Sequence, residues 1–222
     1  MLLSIQIGAP RWHGTPGDPA DKPWLSGFFK DPIAGPIELD WTNLAGDGQA
    51  DLENHGGVDK AVCAYSAEHY AGWRTELKPF LHGVEFVYGA FGENFTIAGL
   101  TEETICIGDV YSLGVARLQV SQPRQPCWKL ARRWKLKDLT ARVIANGKTG
   151  WYFRVLLPGV VEAGMPLELL ERPRPEWTIA RANDVMYREK KNPGPARELS
   201  TVPELSESWR DHLESRANQL EM

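Results

Sequence analysis

The sequence is short of most features that announce a common cofactor or compartment. Three cysteines in 222 residues, with no CxxC pair, exclude a disulfide framework and point to a reducing cytoplasm. They are also too few, at their spacing, for the four thiolates of a usual iron–sulfur cluster. No GxGxxG follows a strand and no GxxxxGKS/T occurs, so neither a dinucleotide fold nor a P-loop is signalled. Charge of one sign is never concentrated. The 25 Lys plus Arg are scattered among 29 Asp plus Glu, which leaves no basic face for nucleic acid. No apolar run approaches the roughly 20 residues that span a bilayer. The opening MLLSIQIGAPRW has neither a basic leader nor an extended apolar segment, so it reads as a strand and not as a secretory signal.

What is present is a strand-rich core. Hydrophobic residues make up 42% of the chain, with nine Trp, enough for one large domain or a domain with an appendage. LLSIQI (2–7) alternates as a strand does, and the Gly- and Pro-rich stretch 8–36 reads as a surface excursion without regular structure. Residues 61–65 form a short buried strand pattern, and Ser66 is placed to cap a helix that Pro79 closes. From Val84 to Val120, short strand patterns (VEFVYGAF, NFTIAG, ICIGDVYSLG, ARLQVSQ) follow one another between glycines, a spacing that favours a barrel or sandwich. A helix is expected from Asp138 as N-cap to Asn146-Gly147, then strands over 151–157 and 165–171. Pro173 and Pro175 mark a boundary that divides the chain into 1–172 and 173–222. Beyond it Thr178 can cap a helix, and Leu205, Trp209, Leu213, Ala217 and Leu220 share one face of another. So small a helical appendage must pack on the barrel or on a second subunit, as in a homodimer.

Among the thiols, Cys63 (KAVCAY) and Cys106 (TICIGD) lie inside apolar strand patterns, as buried structural cysteines do. Cys127 differs. Pro123 and Pro126 fix the backbone before it, and Arg124 and Lys129 stand close by, a setting that favours thiolate. His55-Gly56-Gly57 offers a titratable ring beside two glycines that let backbone approach a ligand, and Lys60 adds an anion contact. In FGENF, Glu93 and Asn94 either form a plain hairpin turn or read the edge of a heterocycle. A zinc site fails on ligand spacing. A Cys–His hydrolase, with Cys127 as nucleophile and His55 as base, stays open at this point.

HGGVDKAVCAY, FGENFTIAGLTEETICIGDVYSLG and LQVSQPRQPCWKL, in this order and spacing, resemble the MOSC domain, a family related to the C-terminal domain of molybdenum cofactor sulfurases. The likeness is to the YiiM type and extends through KTGWYFRVLLPGVVEAGMPLELLER into the tail. It implies a mainly β fold, a distorted closed barrel of the pyruvate-kinase-barrel kind, followed by short helices. It implies molybdopterin as cofactor, with Cys127 as molybdenum ligand or as a carrier of sulfane sulfur. By the same resemblance Arg124, Lys60, His55 and Asn94 line the pterin and phosphate site, the Gly56-Gly57 turn offers backbone N–H groups, and His55 or Glu93 donates a proton. Members of this type are associated with reduction of small N-hydroxylated compounds such as hydroxylaminopurine. With no nicotinamide or cluster site of its own, such a reductase needs an external flavin or iron–sulfur electron donor.

Overall fold

The computed structural model describes residues 1–19 and 21–221. β1 (Leu2–Ile7), β2 (Arg11–His13), β3 (Trp24–Ser26), β4 (Asp31–Pro32) and β5 (Ile37–Leu39) come first, followed by β6 (Val62–Ser66) and β7 (Phe95–Ile97). β8 (Val110–Leu113), β9 (Ala116–Pro123), β10 (Trp151–Leu157), β11 (Gly159–Val161) and β12 (Glu168–Glu171) complete the strands. Helices α1 (Leu52–His55), α2 (His69–Leu77), α3 (Trp128–Arg133) and α4 (Leu139–Asn146) interrupt them. The tail is α5 (Ile179–Tyr187), α6 (Pro193–Ser200) and α7 (Glu207–Glu221). No helix among the described residues is long and apolar enough to cross a membrane.

Eight strands form one sheet in the order β12-β8-β9-β10-β6-β7-β1-β4, antiparallel except where β6 lies beside β7. The expected closed barrel is corrected to an open, curled half-barrel. Its margins touch at one point, where Leu2 N donates to Met165 O (3.0 Å) and Gly164 N to Leu2 O (2.7 Å). A ladder cannot grow from that contact, because Gly164 sits at φ +92° and Pro166 has no N–H to give.

Three further expectations change. VEFVYGAF is a series of turns, because Gly89 and Gly92 take positive φ and the Glu93 carboxylate draws in the N–H groups of Gly89 (2.7 Å) and Phe91 (3.1 Å). The 8–36 stretch is not wholly irregular: β2 and β3 pair within it, and β4 extends the main sheet. Ser66 ends β6 and does not cap α2; its hydroxyl bonds the Glu68 carboxylate at 2.5 Å. Thr178 does cap α5, accepting from Arg181 N at 3.0 Å, and Gly147 (φ +74°) closes α4.

Pairing aligns Trp151 with Ala64 and Pro123, and Phe95 with Ala64 and Ile5. That rung is apolar and enters the main core. One residue along lies a polar rung. Tyr152 stands opposite both Gln122 and Cys63, Cys63 and Asn94 exchange hydrogen bonds, and Gln6 N donates to Asn94 O (2.8 Å). With a side-chain period of two, this polar rung faces away from the Trp151–Phe95–Ile5 side. The tail shares the main core: Ile179, Val185, Trp209, Leu213 and Ala217 cluster with Leu2, Phe95 and Phe153, whereas Leu220 stays outside the cluster and is exposed.

Candidate functional site

The chain leaves β9 at Pro123, and Arg124 N donates to Gly150 O (3.0 Å), which carries the turn away from the sheet. Cys127 then precedes α3 in an extended conformation (φ −107°, ψ 170°). Its carbonyl accepts from Leu130 N and Thr140 Oγ1, both at 3.2 Å, so the backbone is fixed while the side chain stays partly exposed.

Two openings meet at this residue. The inner cavity, about 590 Å³ and open to solvent, lies over the polar rung. The outer chamber, about 1080 Å³, lies between α1, the Gln125–Trp128 turn and α7. Cys127, His55, Lys60, Gln125 and Tyr152 line both. Among the sequence-nominated residues, Cys127, His55, Lys60, Arg124 and Asn94 therefore come together. Gly56, Gly57 and Glu93 line neither opening. Gly57 (φ +92°) instead opens the short 3-10 turn Val58–Lys60 that carries Lys60 to the site. Glu93 is fully buried, and its carboxylate is spent on Gly89 N, Phe91 N, Thr96 Oγ1 and Tyr70 OH.

The inner cavity is cationic. Lys30, Lys60, Arg124 and Lys129 line it, and no carboxylate does among the described residues. Lys30 is neutralised by a buried ion pair with Asp47, while Lys60 gives one hydrogen bond to Asn54 O (2.8 Å). Arg124 is almost wholly buried; Nη2 donates to Phe91 O (2.8 Å), and Nη1 meets no acceptor. A buried guanidinium with an unused donor in a cation-lined cavity is an anion-binding arrangement. Burial, reinforced by Lys129, pushes His55 down to about 4, so at neutral pH it is an uncharged imidazole. Burial lowers Lys60 and pushes the Cys63 thiol up to about 11.

Asn94 serves the wall more than the space. Its side chain accepts from Cys63 N (3.1 Å) and donates to Gln6 O (3.2 Å) and Asp47 Oδ2 (2.8 Å), tying β1, β6 and the Asp47 loop together.

Tyr152 and Lys30 carry no site signal in the sequence, Cys63 reads there as a structural cysteine and Lys129 only as a cation near Cys127, yet all four are in this lining. Cys63 and Tyr152 were concealed by register, since a polar rung is visible only once strands are paired. Lys30 arrives through glycine packing. A Cβ on Gly27 would stand 2.1 Å from Gly48 O, so the 26–30 segment approaches the 46–50 loop only as glycine. No group of three or more His, Cys, Asp or Glu side chains able to hold a metal ion occurs among the described residues. A metal here needs ligands beyond the protein.

The family model for the MOSC domain matches residues 51–168, and that for the YiiM-like 3-alpha helix domain matches residues 177–219. The chain is 43% identical over 219 residues to YflK of Bacillus subtilis (strain 168), covering 99% of this chain and 95% of that protein. It is 39% identical over 189 residues to a protein of Gibberella moniliformis named "Reductase", covering 84% of this chain but 32% of the fungal one. The crystal structure of YiiM from Geobacillus stearothermophilus superposes with a TM-score of 0.80 at 38% identity, covering 98% of both chains.

Proposed function

The chain belongs to the MOSC family, in its YiiM type, and from that premise we propose that it is a molybdenum-cofactor-dependent reductase of N-hydroxylated compounds. The observation that carries the reading is the inner cavity: Lys60, Arg124 and Lys129 beside the Asp47-paired Lys30, no carboxylate in its lining among the described residues, an unused buried Arg124 donor, and a partly exposed thiol at its edge.

These residues fit a phosphorylated pterin dithiolene. Arg124, Lys129 and Lys60 hold the phosphate, Arg124 Nη1 being the donor that lacks an acceptor. Cys127 is the thiolate ligand to molybdenum, a soft donor for a metal whose other sulfur ligands the pterin brings. When bound, the cofactor supplies the two-electron redox chemistry. Reduction of R–NH–OH consumes two electrons and two protons and yields R–NH2 and water, so the chain's part is to place the substrate and deliver protons. His55, uncharged at neutral pH, offers a hydrogen bond beside Cys127 and relays a proton without storing one. Glu93, with its carboxylate fully engaged, is left out of that role.

An external flavin or iron–sulfur protein supplies the electrons through a small transient contact near the Cys127 opening. The length of the fungal reductase beyond its matching third is in keeping with a donor module outside this region. The test is turnover of an N-hydroxylated base by metal-loaded protein with reduced viologen. Steady turnover with viologen and none with NADH or NADPH alone is expected. Nicotinamide-driven turnover by the isolated chain, or none with viologen, contradicts the reading.

A further inference from the structure

Glu93 lines neither opening, although its chain neighbours Gly92 and Asn94 both line the inner cavity. A fully buried carboxylate is costly unless donors meet it, and here four do. Tyr70 OH, Thr96 Oγ1 (3.1 Å) and Gly89 N (2.7 Å) donate to Oε1, and Phe91 N (3.1 Å) donates to Oε2. The side chains from α2 and β7 fix the carboxylate; the two N–H groups belong to the 89–92 turn.

The carbonyls of that turn face the other way. Gly89 O accepts from Arg133 Nη1 (2.7 Å), Ala90 O from Trp134 Nε1 (2.9 Å) and Phe91 O from Arg124 Nη2 (2.8 Å). The N–H and C=O of one peptide unit point in opposite directions, so the Phe91 N–H held by Glu93 sends Ala90 O towards Trp134. Gly92 N, closing the turn on Gly89 O (2.9 Å), likewise turns Phe91 O out to Arg124. Phe28 packs closely on this path: a Cβ on Gly92 would stand 2.7 Å from its ring. The same ring centre is 5.9 Å from the Arg124 guanidinium carbon and 5.7 Å from that of Arg133. Burial lowers Arg133, and the negative charge of Glu93 opposes that shift. A guanidinium is planar and rigid, so Arg124 Nη1, the donor without an acceptor, is aimed only as well as Nη2 is held.

We propose that Glu93 is a positioning residue for the anion site: through the 89–92 turn it holds the Arg124 guanidinium so that Nη1 is presented to a phosphate. The inference rests on the reading of Arg124 as the cofactor's phosphate anchor, and it gives Glu93 no contact with cofactor or substrate.

The test titrates the full-length, metal-free chain with inorganic phosphate, following backbone amide and arginine side-chain N–H resonances. Glu93→Gln keeps the shape but sets an NH2 group against one of the turn's N–H donors. It should weaken phosphate binding about fivefold to tenfold. In an Arg124→Lys background the same change should cost less than about twofold, because the effect passes through the guanidinium. Thr96→Val removes a donor to the same carboxylate but leaves both turn bonds. It should lower thermal stability and leave phosphate affinity within about twofold. Unchanged affinity in folded Glu93→Gln, or an equal loss with and without Arg124, makes Glu93 structural only and overturns the proposal. Wild type supplies a check that needs no Glu93 variant to fold. Phosphate should shift the Gly89 and Phe91 amide resonances, and bound phosphate without such a shift overturns the proposal. Wild type that binds no phosphate removes the proposal and the anion site together. If phosphate binding depends on Glu93 as described but loaded protein reduces no N-hydroxylated compound, the positioning role stands and the reductase reading falls.

Discussion

The inner cavity and the outer chamber share a wall containing Cys127, His55, Lys60 and Tyr152, yet they differ in charge. Inside, Arg124 and Lys129 join Lys60 beside the Asp47-paired Lys30, and no carboxylate lines the space among the described residues; outside, Asp51 and Glu53 enter and the tail contributes Trp209 and His212. The difference assigns the parts. In the proposed reading, the sheet and its turns hold the anionic cofactor, and the tail completes a more mixed-charge space beside it. One thiol, Cys127, borders both.

The sharpest way to break this comparison is at the shared wall. Cys127→Ser should lower viologen-driven turnover by at least about a thousandfold with unchanged thermal melting. Cys63→Ala, on the inner side only, should cost about 1–3 kcal/mol of stability and leave metal content intact. Retained turnover in Cys127→Ser would remove the thiol from the chemistry.

Deleting residues 173–222 tests whether the outer half is an independent addition. Trp209, Leu213, Ala217 and Val185 belong to the same apolar cluster as Phe95 and Phe153, so the truncated chain should aggregate during size-exclusion chromatography. A soluble, active truncation would show that the tail closes nothing.

Arg124→Lys separates the two spaces by charge. Lysine keeps the positive charge but not the guanidinium fork, so pterin retention through gel filtration should fall about tenfold to a hundredfold. Asp51→Asn, on the outer side, should change that retention by no more than about twofold.

The smallest effect expected is a pH dependence from His55. Its folded pKa is about 4 against roughly 6.5 when unfolded, so between those values the unfolded chain binds more protons. Its contribution is therefore full above about pH 6.5, declines as pH falls towards 4, and is level below that. With its partial exposure taken into account, on the order of 1–2 kcal/mol is involved. Urea unfolding of wild type and His55→Gln at pH 4.5 and 7.5 measures it, and the variant should show the shallower pH dependence.

Much of this was legible in the sequence where the cause is local. Thr178 caps α5 because its hydroxyl reaches Arg181 N three residues on, and Gly147 closes α4 because that step needs positive φ. Cys127 stood out because prolines and cations flank it in the chain. What stayed hidden depends on partners far away in sequence. Cys63 joins the cavity through a rung whose members come from five separate segments. Glu93 lay beside Asn94 in a site-like run, but the buried N–H groups of the 89–91 turn claim its carboxylate. Closure of the barrel failed on Gly164 and Pro166, a defect visible only when the two sheet margins are brought together.

The central claim is that Cys127 holds molybdenum at the mouth of a cationic pterin site. Its most direct test is metal and pterin analysis of wild type and Cys127→Ser, freshly purified from a host that assembles the cofactor. The account predicts molybdenum and pterin in near-equal amounts in the wild type, and less molybdenum in the variant. Protein without metal, bearing a cyanide-labile sulfur on Cys127, would contradict it and make the chain a sulfur carrier.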